Sequence, residues 1–582
     1  MPSLKPSTYG TQYAGWTPST LAMQGLGNRV LTDQRIPVAG AELHADVYLP
    51  TVEGRFPAVV SFSAYSTETH TAGIPTGSNE IGSPPVFTDR GYAPVIVERR
   101  GMGRSTGDQG MFLGEQDVDD HQAVIAWAAA QPWCNGEVVL FGTSYYGMTQ
   151  PLVAVRKPPA LKAFFGNEIC TDYYRQLAQF GGVPNLGFFN VWMGANFTQE
   201  QYDKRWSPRK RAIVSHVTNG ALHPLVEKAV RANVNRMFAK FTAATPVESV
   251  RRIYADWVFG SKTRDEPGTI PEGPTRILDR IEIPFAVVQN LAMFNLHQYG
   301  SYDLFENAAT RADRKWLIVA EHEYDLPAYS FQLEAIAFYD HILRGTDNGY
   351  AQRPHVRYWV DGADRYEGAT SFPPPGTTTI RLYPAKGPAD HHTQPLATTP
   401  SQAGSGTWHA VPFGVPILGG IEEIANQLLS YEYAPSETVE FAGPVTANLR
   451  FSCNELDSFV IARLSRIDSA GKRHHLSMGV IRPAARTIEA DRSTSVEIAI
   501  DTTVRTPLVP GEPVTLRFSL TPGPVRLEPG ERLRLDIGSR TDLLRESPAT
   551  GFAHFELPAP PYFSRNTLHY GGESWIELAQ MP

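Results

Sequence analysis

The segment VVLFGTSYYGM, residues 138–148, constrains the fold of this 582-residue chain more than any other stretch. An apolar run from Val138 to Phe141 leads directly into Gly142, and helix-compatible residues follow Gly147. A strand that turns sharply into a helix lifts the Ser144 hydroxyl above a parallel sheet and points the next backbone N–H toward it. Glycines on both sides leave room for such a turn. The pattern predicts a nucleophile elbow of the GxSxxG form, and an ordinary strand-to-helix turn is the alternative interpretation.

Short apolar β-type runs alternate with helical segments around this elbow. Asp117 to Ala130 has apolar residues at helical spacing, which predicts a helix packed on a sheet face. Strands separated by helices are typical of βαβ units and a largely parallel sheet. The predicted strands are 58–62, 93–97, 138–141, 285–288 and 316–319.

The chain between these strands has a different pattern. Residues 170–265 lose β-type runs and gain helical periodicity, as in residues 222–241, which predicts an inserted helical cap. Residues 201–252 hold eleven Lys or Arg against three acidic residues, a local charge of 11 − 3 = +8. This charge indicates either a solvated helical surface or a patch that steers anionic substrates or pairs with an acidic partner.

Beyond about residue 351 the pattern is almost entirely β. Apolar residues alternate with small or polar ones at 445–451 and 514–520, and turn signals such as EPG at 528–530 separate the runs. Several short alternating strands joined by turns predict a β-sandwich of the jelly-roll type.

Composition excludes several classes of protein. The charge of 52 − 60 = −8 is too mild and too scattered for a nucleic-acid-binding protein. Cys134, Cys170 and Cys453 are far apart and form no CxxC pair, so we expect neither a disulfide framework nor a cysteine metal site, and no cofactor. The chain has no signal-peptide pattern and no run of about 18 apolar residues, so we expect a cytoplasmic protein without a membrane partner.

A reactive serine requires a base, because its alkoxide is not available at neutral pH. In this type of fold the order along the chain is serine, acid, histidine. His297 and His322 are the downstream candidates within the α/β part. We favour His322, because it follows the apolar run at 315–320 and would lie where a strand ends at the top of the sheet.

Several stretches resemble one group of α/β-hydrolases, which contains cocaine esterase, X-prolyl dipeptidyl aminopeptidase, the α-amino acid ester hydrolases and the other CocE/NonD hydrolases. The resemblance implies an α/β-hydrolase domain with an inserted helical cap and a C-terminal β jelly-roll domain. The matching stretches are SAYS at 63–66, RRGMGRSTG at 99–107, the block at 115–148, YYRQLAQFGG at 173–182, EFAGPVTANLRFS at 440–452 and LEPGERLRLDIGS at 527–539. The predicted boundaries are 1–165 and 271–350 for the hydrolase domain, 166–270 for the cap and 351–582 for the jelly roll.

The resemblance also implies roles for residues around Ser144. Tyr65 would give its hydroxyl to an oxyanion hole beside the backbone N–H of Tyr145. The group carries an Asp that orients the catalytic His, and Asn295 stands at that position here, in a segment without the usual pattern. An amide can hold the imidazole but stabilises its charged form less. Asp303, Glu321 and Asp325 are alternative carboxylates, and the usual signature around the catalytic His is reduced to AEHEY at 320–324.

These residues predict a serine hydrolase that cleaves an ester or amide of a small acyl substrate through an acyl-serine intermediate. Two alternatives remain open at this point. The acyl group could pass to an alcohol or amine instead of water, or the chain could be an inactive binding protein that keeps the hydrolase fold. Cap helices and sheet edges could also mediate assembly into a homo-oligomer.

Overall fold

The computed structural model describes most of the chain outside the predicted cap. It describes residues 26–65, 80–189, 273–291, 296–320, 329–387, 393–412, 427–541, 557–558 and 560–582, together with residues 192, 209, 213 and 225. Of the predicted cap, residues 166–189 and these four single residues fall in this set, so the helical segment expected at 222–241 and most of the basic stretch lie outside the described residues.

Within the described residues, ten strands form one mostly parallel sheet in the order β1-β2-β4-β3-β5-β6-β9-β10-β11-β12. The pairs from β4 through β11 are parallel, whereas β1, β2 and β12 are joined antiparallel at the two edges. The strands are β1 (Arg29–Val38), β2 (Ala41–Leu49), β3 (Phe56–Ser63), β4 (Ala93–Glu98), β5 (Cys134–Thr143), β6 (Leu161–Asn167), β9 (Phe285–Gln289), β10 (Lys315–Val319), β11 (Val356–Val360) and β12 (Arg365–Ala369), and β7 (Gln179–Phe180) and β8 (Val183–Pro184) form a separate hairpin.

Helices cover both faces of this sheet, because successive residues of each central strand point to opposite sides. In β5, Val138 and Leu140 join one core cluster with residues of α2, whereas Val139 and Phe141 join another with residues of α5. The helices are α1 (Pro84–Thr88), α2 (Glu115–Ala129), α3 (Tyr145–Ala154), α4 (Gly300–Asn307) and α5 (Tyr329–Arg344). This sheet with its helices is called the α/β domain below.

The second part of the chain is built from strands, as the alternating pattern predicted. Among the described residues its twelve strands form one continuously paired sheet, in which β13 pairs with β14 and β17 pairs with four other strands. The strands are β13 (Thr378–Pro384), β14 (Thr393–Ala397), β15 (Ser405–Ala410), β16 (Leu428–Tyr433), β17 (Val439–Cys453), β18 (Val460–Ile467), β19 (Arg473–Ile481), β20 (Val514–Leu520), β21 (Val525–Leu527), β22 (Arg532–Gly538), β23 (Ser564–His569) and β24 (Trp575–Gln580). This part is called the β domain below.

Two strands beyond the boundary expected at residue 351 belong to the sheet of the α/β domain. Strands β11 and β12 lie within the range predicted for the jelly roll, 351–582, but they extend the sheet of the α/β domain. β11 pairs in parallel with β10 after the crossover helix α5, so it completes another βαβ unit of the same sheet. A short apolar run gives no sign of which sheet it will join, because both domains bury such strands.

The strands predicted in the α/β domain are confirmed, since each lies inside an observed strand, and the helix predicted at 117–130 corresponds to α2. β6 and β9 pair directly although 117 residues separate the end of one from the start of the other. Among the described residues, the helices are either too short or too polar to span a bilayer.

Candidate active site

Ser144 occupies the tight turn between β5 and α3. Its φ of 57° and ψ of −119° lie outside the ordinary helical and extended regions, which marks stored backbone strain. Two backbone hydrogen bonds hold the turn: the Ser144 N–H donates to the Asn167 carbonyl at 3.0 Å, and the Met148 N–H donates to the Ser144 carbonyl at 2.7 Å. The predicted strand, turn and helix are therefore present around this serine.

The two glycines of the GxSxxG pattern are required by close approach. A Cβ on Gly142 would lie 2.2 Å from the Cβ of Tyr146, and Gly142 has a φ of +150° that side chains rarely adopt. A Cβ on Gly147 would lie 2.5 Å from the Asn167 carbonyl oxygen. Any side chain at either position would push α3 away from the sheet and move Ser144.

The histidine that reaches Ser144 is His297. Its Nε2 lies 3.2 Å from Ser144 Oγ, and both side chains are buried. His297 follows β9 and has a φ of 56°, an uncommon conformation for this residue type. Gln289 at the end of β9 donates from its Nε2 to the His297 carbonyl at 2.9 Å, which helps to hold the loop.

Glu168 lies behind His297, on the side away from Ser144. Its Oε2 is 3.1 Å from His297 Nδ1, and the carboxylate is buried. Glu168 is the first residue after β6, has a φ of 56°, and donates its backbone N–H to the Val288 carbonyl of β9 at 3.1 Å. The geometry therefore places a histidine between a serine and a carboxylate. Along the chain the three residues follow the order serine, acid, histidine.

Tyr65 lies two residues beyond β3, next to Ser144. Burial raises the pKa of its hydroxyl well above the usual range, whereas hydrogen bonds with Trp192 and Ser144 act in the opposite direction. Trp192 Nε1 donates to the Tyr65 oxygen at 3.1 Å. A neutral phenol whose oxygen already accepts one hydrogen bond can donate its own proton to a developing oxyanion.

Tyr145 contributes its backbone to the site and its side chain to the core. It is the first residue of α3, so its N–H has no acceptor within the helix. Its hydroxyl donates to Asp117 Oδ2 at 2.7 Å, and Asp117 Oδ1 accepts two hydrogen bonds from Arg99 at 2.9 and 2.8 Å. The RRGMGRSTG stretch and α2 thus fix the ring that follows the serine.

Two of the predicted partners of Ser144 lie outside the described residues. His322, which we favoured over His297, is one of them, and Asn295 is the other. Of the alternative carboxylates, Glu321 and Asp325 are also outside this set. The contact that the structure shows is with His297, the other of the two histidine candidates.

Asp303, the third alternative carboxylate, is used elsewhere. It accepts hydrogen bonds from Thr171, Thr275 and Asn307. These bonds connect α4 to the segments that carry Thr171 and Thr275. Burial raises its pKa, which the hydrogen bonds from these three side chains oppose.

Glu168 is the site residue that sequence reasoning missed. The position of Glu168 in the sequence could have indicated its role. Glu168 directly follows the apolar strand LKAFFGN at 161–167, and this strand neighbours the strand that leads to Ser144. Carboxyl ends of parallel strands meet at one edge of the sheet, where ligands and catalytic side chains collect. The carboxylates predicted from sequence all lie close to His297 or His322 in the chain, whereas Glu168 follows a different strand.

A second buried glutamate, Glu80, lies in the same region. Burial raises the pKa of its carboxyl well above the usual range, and the neighbouring charge of Glu168 raises it further. Two nearby carboxyls in an apolar setting cannot both ionise easily. Burial and the Glu168 carboxylate thus both favour the protonated form of Glu80.

Comparison with known proteins agrees with this architecture. Residues 39–324 match the family model of the X-Pro dipeptidyl-peptidase (S15 family), and residues 348–551 match the X-Pro dipeptidyl-peptidase C-terminal non-catalytic domain. Cocaine esterase from Rhodococcus sp. is 26% identical over 479 residues, which cover 76% of this chain and 81% of that protein.

Solved structures share the fold over almost the whole chain. A CocE/NonD family hydrolase from Staphylococcus aureus superposes with a TM-score of 0.70 at 20% identity, covering 95% of this chain and 94% of the other. An α-amino acid ester hydrolase gives a TM-score of 0.66 at 16% identity, with all of both chains covered. These similarities confirm the predicted α/β-hydrolase domain with a C-terminal β domain.

Proposed function

The chain belongs to the α/β-hydrolase family of the S15 X-Pro dipeptidyl-peptidases and the CocE/NonD hydrolases, and from this premise we propose that Ser144 cleaves an ester or amide through an acyl-serine intermediate. The chain is thus a serine-dependent acyl hydrolase. The observation that carries the proposed mechanism is the 3.2 Å distance between Ser144 Oγ and His297 Nε2.

His297 moves the protons in this mechanism. Its Nε2 accepts the Ser144 proton as Oγ bonds to the acyl carbon, and then gives that proton to the departing alcohol or amine as the C–O or C–N bond breaks. The same nitrogen next deprotonates a water molecule, which attacks the acyl carbon and releases the acid and free Ser144. One nitrogen, 3.2 Å from Oγ, can serve each step in turn.

Glu168 takes the third position of the triad in this proposal. Its carboxylate lies 3.1 Å from His297 Nδ1, so the Nδ1–H tautomer is favoured and Nε2 is left free to accept a proton. It also stabilises the imidazolium, because a buried opposite charge at this distance is only weakly screened. The Glu168 carboxylate takes the orienting role that the resemblance implied for Asn295. It stabilises the imidazolium more strongly than an amide would.

Two donors, the Tyr145 backbone N–H and the Tyr65 hydroxyl, bind the oxyanion in this proposal. The Tyr145 N–H points out of the first turn of α3, and the Tyr65 hydroxyl contacts Ser144. A preorganised donor pair is most effective as negative charge builds on the carbonyl oxygen, since the buried site excludes water. The Trp192 N–H bonded to Tyr65 keeps the phenol oxygen in place.

We propose that the substrate is a small ester or amide with an apolar group beside its carbonyl. Aromatic rings surround the proposed triad: Trp192 packs on Phe112 and Phe188 at centroid distances of 5.0 and 6.1 Å, and the Phe188 and His297 rings are 6.5 Å apart. Such walls bind an apolar group through burial of its surface. Similarity to cocaine esterase supports the same class of substrate, since that protein is named for an ester.

Labelling with a fluorophosphonate tests the proposed nucleophile. This reagent phosphonylates a serine, with loss of fluoride, only when a base and an oxyanion hole activate it. The wild-type chain therefore becomes labelled and Ser144→Ala does not. Ser105 is a matched control, because it is a buried serine that donates to the Glu98 carbonyl at 2.7 Å. Ser105→Ala keeps the labelling, and a wild-type chain that resists the reagent, or a labelled Ser144→Ala variant, would refute the mechanism.

A further inference from the structure

Four buried charges join the α/β domain to the β domain directly behind the proposed active site. Asp172 and Arg175 lie in the segment that follows β6 of the α/β domain, and Arg492 and Glu497 come from the β domain. All four side chains are buried, and Arg492 also lies 3.6 Å from Glu489. We call these residues the interdomain ion network.

Asp172 is the centre of the network on the α/β side. Its Oδ1 accepts the backbone N–H groups of Tyr174 and Arg175 at 3.0 and 3.1 Å, which fixes the turn after β6. Its Oδ2 accepts Arg175 Nε at 2.9 Å and Arg492 Nη1 at 3.1 Å. The turn is thus held both by its own backbone and by the other domain.

Glu497 is the matching group on the β side. Its Oε1 accepts a hydrogen bond from Arg175 Nη1 at 3.0 Å. Burial raises the pKa of Glu497 to about 7, the nearby Asp172 and Asp303 raise it as well, and Arg175 opposes this. A hydrogen bond with Gln176 also opposes it, and Tyr299 and Cys170 lie near enough to feel the charge of Glu497.

The network lies within a few residues of the proposed triad. Glu168 is four residues before Asp172, so the loop that presents its carboxylate ends in the network. The helix that follows His297 presses on the same loop, because a Cβ on Gly300 would lie 2.0 Å from the Ile169 carbonyl oxygen. The Thr171 hydroxyl also donates to Asp303 of that helix. The loops of Glu168 and His297 therefore form one unit, and the β domain anchors it.

We propose that Glu497 is a positioning residue for the hydrolase site, acting from the β domain through Arg175 and Asp172 to hold Glu168 against His297. The inference rests on the proposed function, since it assumes that Glu168 and His297 serve Ser144. A displacement of about 1 Å in a catalytic group can lower turnover by about 100-fold, so an anchor outside the site can control the rate. The β domain thereby contributes to turnover without contacting the substrate.

Steady-state hydrolysis of p-nitrophenyl acetate by full-length variants tests this proposal. Glu497→Gln removes the charge and keeps the shape, and we expect it to lower kcat by about 10-fold with KM within about twofold of wild type. Glu497→Asp restores the charge and recovers part of the loss. Glu531→Gln is the matched control, because Glu531 forms a 2.8 Å ion pair with Arg466 of the same domain, and it leaves kcat unchanged.

The pH profile separates positioning from a general loss of packing. Protonated Glu497 resembles the Gln variant, so log kcat of the wild type falls by an additional step of about one unit as pH drops through about 7, and Glu497→Gln lacks this step. Active sites titrated with fluorophosphonate normalise every rate, so a variant that folds poorly is still compared per active molecule.

Two results would overturn the inference: full kcat in Glu497→Gln, or a reduced kcat with the wild-type acid limb. Ser144→Ala in the same series distinguishes the two hypotheses. If Ser144→Ala keeps its activity, the proposed function is wrong. If Ser144→Ala is inactive and Glu497→Gln is fully active, only the role of Glu497 is wrong.

Discussion

The turn that carries Ser144 and the loops that carry its two partners are held in different ways. The turn depends on contacts within residues 138–148 and on one neighbouring carbonyl, that of Asn167. The partners come together over long distances: His297 lies 153 residues from Ser144 in the chain, and the anchor of the Glu168 loop reaches 322 residues to Glu497. The nucleophile is a local structure, whereas the base and the acid are products of tertiary assembly.

The largest expected effect distinguishes the two histidines. Replacing a triad histidine removes the base for every step, so His297→Ala lowers kcat by about 10⁵-fold or more. His322→Ala is the matched comparison, and its kcat stays within about tenfold of wild type. Both are measured with p-nitrophenyl acetate. An inactive His322→Ala together with an active His297→Ala would move the base to the position we favoured from sequence.

The next effect concerns the carboxylate behind the histidine. Glu168→Gln keeps the shape but loses the charge that stabilises the imidazolium, so kcat falls by about 10⁴-fold, as for the equivalent change in a serine protease. Asn295→Asp gives no gain in the wild-type background, because Glu168 already holds the ring. A marked gain from Asn295→Asp, with little loss in Glu168→Gln, would mean that the orienting group is at position 295.

A smaller effect is expected in the oxyanion hole. Tyr65→Phe removes one donor and keeps the ring, and loss of such a donor lowers kcat by about 10²–10³-fold. KM changes little, because the hydrogen bond strengthens only in the transition state. Single-turnover kinetics of acylation provide the measurement. A rise in KM at constant kcat would instead make Tyr65 a substrate-binding residue.

The smallest effect is on the free energy of unfolding. It tests how much the ionised, buried Glu497 destabilises the folded chain. The pKa of Glu497 rises from its usual 4.5 to about 7 on folding, so its contribution to stability is fully present below about pH 4.5 and is lost as pH rises to about 7. At about 1.4 kcal/mol per unit the loss amounts to about 3 kcal/mol. Glu497→Gln does not titrate and therefore gains stability relative to wild type over this range.

Urea unfolding at pH 5 and pH 8 measures this difference. We expect the free energy of unfolding of wild type to fall relative to that of Glu497→Gln between the two pH values. A constant difference would mean that Glu497 titrates alike in the folded and unfolded chain. The ionised Glu497 is thus expected to raise kcat and to lower the free energy of unfolding relative to Glu497→Gln. Such a trade-off between activity and stability is common for functional groups that are buried.

The predictions from sequence succeeded where a signal lies in neighbouring residues. The strands at 93–97 and 285–288 and the elbow at Ser144 depend on apolar runs and glycine spacing, and each was found where expected. The sheet that β11 joins was not predicted, because the run that forms this strand is equally suited to either sheet. Glu168 was missed for a related reason, since a single glutamate after a strand looks like any other surface residue.

The sequence by itself determined the fold class, the family and the position of the nucleophile, because sterics within a few residues set the strand, the turn and the helix. Among the described residues, only the tertiary structure decided which histidine reaches Ser144 and which carboxylate reaches that histidine. Loops from β6 and β9 meet because their strands are neighbours in the sheet, and α4 and the β domain then press them together. No short-range pattern encodes such a meeting, since the energy that fixes it comes from contacts between distant parts of the chain.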